Sequence, residues 1–495
     1  MLPGGSVVTT LRAPAPLSPV SNRNTPLLEI AVIHSKQGPI EFLAATIISC
    51  RGLPRATQPV SPTRKPRCIL DLMLELDCSL PFFPEFDADF FAALPARPGV
   101  MLLEMKIPNA QPYLARTADI RRAAERLLSP PEAGLKRLNL REVVRNIRYR
   151  VTGSKFEQSF VHHQQARTHF PQRYRTLARV RPPAMLKVNL RNSYPRCYVT
   201  RQIRADEGFY FGPFATRRLA DDFADGYLDL FKTRRCQIKI RRDPEYPGCI
   251  YSEMKMCLAP CFAGCTKEEY EAEVSLILEG LASQGSALTA RLEREREAAS
   301  ESLDFERAAA LHKRLEKVEQ ALRGMPDIAR RVEELDAVIL QRGAEEKSIL
   351  VFPLHAGILA EPFPLTFTEV SEPRSVESTL RDVFEPLGGK PPDASRLSGT
   401  TERSQDEAAQ NDLVDVDTSK PSIADISRSQ YGLRAAPPNL SEHLSLVSRW
   451  FYSKPRDGEI LFRTGDWPYR RILRACSRLL NPQERTSPPP QAPQQ

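Results

Sequence analysis

Residues 231–261 read FKTRRCQIKIRRDPEYPGCIYSEMKMCLAPC, and residues 299–322 read ASESLDFERAAALHKRLEKVEQAL. In the first stretch Cys236, Cys249, Cys257 and Cys261 recur with the spacing C-x12-C-x7-C-x3-C. Five of the ten cysteines fall between Cys236 and Cys265. Such clustering in a reducing compartment points to a metal before disulfides. Four converging thiolates are soft ligands that suit Zn2+ or an iron–sulfur cluster. Zinc sites more often carry two tight cysteine pairs, and here only the last pair is tight. The spacing leans toward a cluster but leaves cluster, zinc and unliganded thiols all open. Tyr246-Pro247-Gly248 and Leu258-Ala259-Pro260 supply turns between the ligands, and Cys265 is a spare.

The second stretch is built from strong helix formers. Leu288, Leu292, Ala299 and Leu303 follow a heptad-like spacing, as do Ala308, Leu311, Leu315, Val318 and Leu322. Ser302-Leu303-Asp304 breaks the run, with Asp304 placed to cap the second helix. The pattern predicts an antiparallel helical hairpin with one apolar seam per helix and a charged outer face. Between the two stretches, Thr266 with Glu269 has the form of a capping box. It opens a helix expected to run to about Glu279, with Gly280 as its stop.

Working outward, residues 158–205 hold ten Lys or Arg and no Asp or Glu, with Tyr174, Tyr194 and Tyr198 among them. Cations for phosphates interleaved with rings for stacking are the footprint of a nucleic-acid partner. The alternative is a solvated basic face. The formal net charge of +9 suits a polyanion, because each neutralised phosphate releases counterions. LKVNL (186–190) and RCYVTRQI (196–203) read as strands, GFYFGPF (208–214) as a turn, and 215–231 as a helix. Upstream, PGVMLLEM (98–105) and PYL (112–114) read as strands. Helices follow over 118–128, with Asp119 near the cap, and over 155–167. Downstream, DAVILQ (336–341), KSILVFPL (347–354) and GILAEPF (357–363) predict a small antiparallel sheet. HLSLVSRWFYS (443–453) and YRRILRACSRLL (469–480) predict helices, with EILFR (459–463) a strand between them.

The fold class is α+β and multidomain. Residues 1–85 are expected to be disordered, and 86–205 to form a small α/β domain with a basic extension. A Cys-rich region (206–280), the helical hairpin (281–325) and a small β-rich domain (330–387) follow. A Gly-, Pro- and Ser-rich linker (388–424), a C-terminal helical segment (425–482) and a low-complexity tail (483–495) complete the chain. No apolar run reaches the ~18–20 residues of a membrane span, and the N-terminus lacks the basic start and apolar core of a secretory signal. The expectation is a cytoplasmic protein with no membrane partner.

YFGPF (210–214), FKTRRC (231–236), PGCIY (247–251), MCLAPC (256–261) and TKEEY (266–270) together resemble the central segment of the UvrC family, part of the ABC excinuclease of bacterial nucleotide excision repair. ASESLDFERAAALHKRLEKVEQAL resembles that family's UVR motif, a helical hairpin with an LDFE-x-AA-like turn. Residues 94–202 fit the order of its N-terminal half, and the resemblance covers about residues 90–360. It implies that Cys236, Cys249, Cys257 and Cys261 ligate an iron–sulfur cluster, or failing that zinc. It implies that Asp304, Phe305, Glu306, Ala308 and Ala309 dock a UvrB-like helicase subunit. It also turns Arg173, Arg175, Arg179, Arg181, Lys187, Arg191, Arg196 and Arg201 toward DNA.

The family's N-terminal domain is a GIY-YIG nuclease that needs two tyrosines, a lysine, an arginine and a metal-binding glutamate. Here the first tyrosine position reads Met101, while Tyr113 keeps the second. The lysine becomes Arg116, and the arginine position falls on Ala123, beside Arg121 and Arg122. The glutamate position falls near His162, part of what reads as a polar helix surface with His163. A hard Mg2+ wants carboxylate oxygen, so an imidazole there is a poor replacement. Tyr113 and Arg116 are then remnants of an inactive site, and Glu157 is the carboxylate that could rescue it. The family's second nuclease, an RNase H-like domain, needs well over ~150 ordered residues, and no GIGP-like hairpin motif follows. The expectation is a UvrC-like protein that binds DNA and UvrB and lacks one or both incision activities. The alternatives are an active GIY-YIG endonuclease with rearranged residues, using Mg2+, and a UVR-motif adaptor outside excision repair.

Overall fold

The computed structural model describes residues 76–131, 137–367, 373–384, 430–431, 433 and 435–481. The expectations for 1–75, 388–424 and 483–495 lie outside the described residues.

The first layer contains β1 (Cys78–Pro81), α1 (Asp87–Ala93), β2 (Gly99–Met105), β3 (Tyr113–Thr117), α2 (Ile120–Leu128), β4 (Val144–Val151), α3 (Lys155–His169) and α4 (Tyr174–Leu177). Its strands form an antiparallel sheet in the order β1-β4-β2-β3. Ordered structure thus starts before residue 86, because Cys78–Pro81 pairs along the β4 edge. β2 is apolar on both faces because both are covered. Met101 and Leu103 pack with Ile120, Ala124 and Leu127 of α2, while Val100 and Leu102 pack with Val161 of α3. Asp119 caps α2 by accepting from Arg122 N at 2.9 Å, as its side chain predicts.

The middle layer contains β5 (Ala184–Val188), β6 (Cys197–Thr200), β7 (Phe209–Phe214), α5 (Arg217–Leu228), α6 (Ile250–Glu253), α7 (Lys267–Ala282), α8 (Ser286–Glu301), α9 (Phe305–Leu322) and β8 (Arg330–Arg331). The sheet order is β6-β5-β7-β8. YFGPF is therefore a strand and not the expected turn. All six residues of β7 are buried, with Phe209 and Phe211 in the core under α5 and α7, and Tyr210 in the neighbouring core. Gly212 lies at φ +151, where a Cβ would meet Met185 Sδ at 2.8 Å.

Helix α7 opens with the expected capping box on Thr266 and Glu269, but it runs through Gly280 to Ala282. A Cβ at Gly280 would stand 2.2 Å from Tyr227 Oη and 2.4 Å from Leu288 Cδ1. The residue serves close helix packing, and the chain turns instead at Gly285, φ +91. Leu288, Leu292, Ala299, Leu315 and Val318 bury the hairpin seam. Leu303, expected in that seam, projects from the turn at φ +60 and is 71% exposed.

The last layer contains β9 (Ala337–Arg342), β10 (Ser348–His355), β11 (Ile358–Leu359), β12 (Phe363–Thr366), α10 (Pro373–Phe384), α11 (Leu440–Phe451), β13 (Glu459–Phe462) and α12 (Tyr469–Leu480). The sheet runs β11-β10-β9-β13, with β12 also paired to β10. One face packs Ile339, Phe352 and Leu354 under Leu440, Leu444, Val447 and Trp450 of α11. The other packs Val338, Leu340 and Val351 under α10 and α12. The segments 330–387 and 425–482, expected as separate units, share this sheet because β13 pairs antiparallel with β9. Phe156 and Phe160 of α3 enter the same core as α11, so the N-terminal and C-terminal layers join through one aromatic cluster.

Candidate nucleic-acid interface, thiol cluster and hairpin tip

The basic stretch leaves α3 and passes through α4 into the middle sheet. Arg173 donates to Gln111 Oε1 at 2.7 Å and lies 5.3 Å over the Phe170 ring. Arg175 donates through Nε to Glu442 Oε1 at 3.1 Å. Arg179, Arg181, Arg191 and Arg201 are exposed. Arg196 is half-buried, 4.6 Å over the Tyr198 ring. Lys187 departs from the expectation. It is 6% exposed, its ammonium is paired with Asp206, and it lies against the Tyr210 ring. Its place on β5 turns it into the fold, away from any phosphate.

The positions aligned with the family's nuclease residues also find places. Met101 is fully buried and faces Ala115 across the β2–β3 pair. Tyr113 starts β3 half-buried. Arg116, on the same strand, donates through Nη1 to Ser159 Oγ at 2.9 Å. Ala123 is core, and Arg121 is spent on the carbonyls of Leu94 and Ala92. Glu157 is 3% exposed; it accepts from Gly153 N at 2.8 Å and lies 3.6 Å from Arg150 Nε. It holds the entry to α3, and burial raises its pKa.

His162 and His163 are not the expected polar surface. They are 7% and 0% exposed, because α3 is covered on one side by the N-terminal sheet and on the other by α11. Burial, followed by the charges of Arg116, His163 and Arg449, pushes His162 down to about 4. His163 Nε2 lies 3.0 Å from Glu442 Oε2. Glu442 also accepts from Tyr174 Oη at 2.5 Å. Burial raises the Glu442 carboxyl, but the bonds from Tyr174, Arg175 and His163 outweigh it and leave the pKa below the usual value. Sequence reasoning missed Glu442, His443 and Arg449, all on α11. The available signal was polar and charged residues spaced within an otherwise apolar helix, SEHLSLVSRWF.

The four cysteines of the expected metal set are neighbours. Burial first, then the thiols of Cys236, Cys249 and Cys261, push Cys257 up to about 11. Cys261 is raised by burial and by Cys249 and Cys236. Ala259 N donates to Cys257 Sγ at 3.3 Å, in a turn where Ala259 and Ala263 both adopt positive φ. The side chains do not converge on one coordination centre: among the described residues, no group of three or more His, Cys, Asp or Glu is arranged to hold a metal ion. A set of four soft thiols with no carboxylate among them suits zinc or iron in its donor chemistry.

At the hairpin tip, Asp304 caps α9 by accepting from Arg307 N at 3.0 Å. Phe305 is 66% exposed beside Leu303, so two large apolar side chains stand in solvent. Glu306 and Ala309 are exposed and Ala308 is half-buried on the same turn. Among the described residues no helix is long and apolar enough to cross a membrane.

A family model described as UvrC/Cho excinuclease, middle domain, matches residues 184–280, and the UvrB/uvrC motif matches residues 286–321. The chain is 29% identical over 304 residues to UvrABC system protein C of Dehalococcoides mccartyi strain CBDB1, covering 59% of this chain and 48% of that protein. It is 26% identical over 276 residues to UvrABC system protein C of Carboxydothermus hydrogenoformans, covering 56% and 45%. Against the same protein of Nitratidesulfovibrio vulgaris it is 35% identical over 141 residues, covering 28% and 20%. The chain spans about half the length of the first curated relatives it matches. No solved structure matches it. From β5 to the end of α9, then, the chain carries the middle domain and the UVR motif of the UvrC family, and by these it is a UvrC relative.

Proposed function

We propose that this UvrC relative works in nucleotide excision repair by binding DNA and a UvrB-like subunit, with its GIY-YIG-like domain unable to cut. The observation that carries the reading is the environment of His162. The position expected to hold a metal carboxylate is a buried imidazole among arginines, and Glu157 is committed to Gly153 N and Arg150. A divalent cation there would meet positive charge instead of carboxylate oxygen. Exposed arginines remain for phosphates, and Phe305 and Leu303 remain for an apolar partner groove. Cys236, Cys249, Cys257 and Cys261 would hold an iron–sulfur cluster or zinc, whose part is to tie the loop after α5 to the start of α7.

The test is nicking of damaged duplex with Mg2+ or Mn2+, run beside capture of purified UvrB. The expected result is no metal-dependent nicking, with UvrB retained by the wild-type chain and lost by Phe305→Asp. Nicking abolished by Tyr113→Phe would establish an active nuclease instead. A chain that captures no UvrB would leave an adaptor outside excision repair.

A further inference from the structure

We infer that Arg116, Arg179 and Arg449 form a binding site for a backbone phosphodiester of nucleic acid, assembled from three elements where the family resemblance would put a nuclease centre. This rests on the DNA-binding reading above and names the place where a phosphate is held. Arg116 comes from β3 and is fastened to Ser159 of α3, one turn before His162. Arg449 comes from α11; its Nη1 lies 3.3 Å from both Ala178 O and Arg179 O, at the end of α4. One turn earlier on α11, Ser445 Oγ accepts from Arg181 N at 2.9 Å. Helix α11 is thus stitched twice to the turn that carries Arg179. That turn holds Arg179 at φ +52, a left-handed conformation that costs a non-glycine residue about 1 kcal/mol or more.

All three guanidiniums are exposed, and among the described residues none has a carboxylate partner. Their neighbours differ: Arg150 faces Glu157 and Arg175 faces Glu442. After burial, Arg179 lowers the pKa of Arg116, and both lower that of Arg449. Three like charges brought together by a strained turn repel one another, and a bound anion reverses that repulsion. Guanidinium forks match paired phosphate oxygens. Neutral His162 beside them adds a ring N–H. Arg449 lies outside both matched family segments. With arginines where metal ligands would stand, binding is expected without a divalent cation.

The experiment measures binding of the full chain to short duplex DNA in EDTA across a salt series. It compares wild type, Arg116→Gln, Arg116→Gln/Arg449→Gln, and Arg291→Gln, which removes one exposed charge on α8. The expected result is a loss of roughly tenfold or more for the double variant, with the slope of log K against log salt reduced by about 2. Arg291→Gln should stay near wild type. If the double variant misfolds, Arg116→Gln, at an exposed strand position, carries the test with a slope reduced by about 1. Wild-type binding that both variants retain with the same slope overturns the site and leaves the DNA reading standing. A wild-type chain that binds no DNA overturns both. Thermal stabilisation by inorganic phosphate that depends on Arg116, with DNA affinity unchanged in the variants, would assign the site to free phosphate and overturn the inference as stated.

Discussion

Acid should loosen the joint between α3 and α11, and the size of the effect follows from two buried imidazoles. His162 and His443 are 7% and 3% exposed, and each is pushed down to about 4. Burial is the leading cause for both. For His162 the next are the charges of Arg116, His163 and Arg449. For His443, His163 and Arg167 lower the pKa while Glu442 opposes them. Geometry agrees for His443: Leu359 N donates to its Nδ1 at 3.0 Å, so that nitrogen must carry no proton. The folded pKa lies below the unfolded value of about 6.5, so the unfolded chain binds protons first as pH falls. Stability is complete above about pH 6.5 and is lost down to about pH 4. Between pH 7 and pH 5 each histidine contributes a loss of about 2 kcal/mol, or roughly 4 kcal/mol together. That is a large part of the ~5–15 kcal/mol typical of a folded domain. The assay is urea unfolding near pH 7 and near pH 5, followed by tryptophan fluorescence, since Trp450 on α11 packs against Phe156 of α3. His443→Gln and His162→Gln should each lower stability near pH 7 and remove about half of the acid loss. A wild-type loss under about 1 kcal/mol over that interval, or an equal loss in the double variant, would refute the reasoning.

Two other predictions concern the middle layer. Gly280→Ala adds about 1 kcal/mol of helix propensity but forces a Cβ to within 2.2 Å of Tyr227 Oη and 2.4 Å of Leu288 Cδ1. Overpacking costs about 1–3 kcal/mol, so the net effect should be destabilising, read as a lower midpoint in thermal unfolding; a raised midpoint would show that Tyr227 and Leu288 move aside freely. Anaerobically prepared protein should contain iron with sulfide, or zinc, at about one centre per chain, and Cys257→Ser should lose it. Metal-free protein that stays folded and unchanged on adding either metal would remove the thiol-centre proposal.

Local signals sufficed for much of this protein. Capping side chains placed the starts of α2, α7 and α9, and the heptad spacing placed the hairpin, because those features act within a few residues of chain. The spacing of the cysteines and the LDFE-type turn identified the two segments that the family comparisons then matched. The departures came from long-range packing. YFGPF reads as a turn by its Gly and Pro, yet sheet neighbours on both sides make it a buried strand. Gly280 reads as a stop, yet Tyr227 and Leu288 require it inside a helix. Lys187 sits in a basic run, yet β5 turns it onto Asp206.

The amino-acid order alone therefore determined which elements form, and which of them belong to a UvrC-like middle domain and UVR hairpin. Only the tertiary structure decided that α11 lies across α3 and α4, some 280 residues away for the His163–Glu442 pair. Burial and charge pairing depend on what arrives from elsewhere in the chain, so neither the neutral histidines nor the meeting of Arg116, Arg179 and Arg449 could be read along a single segment.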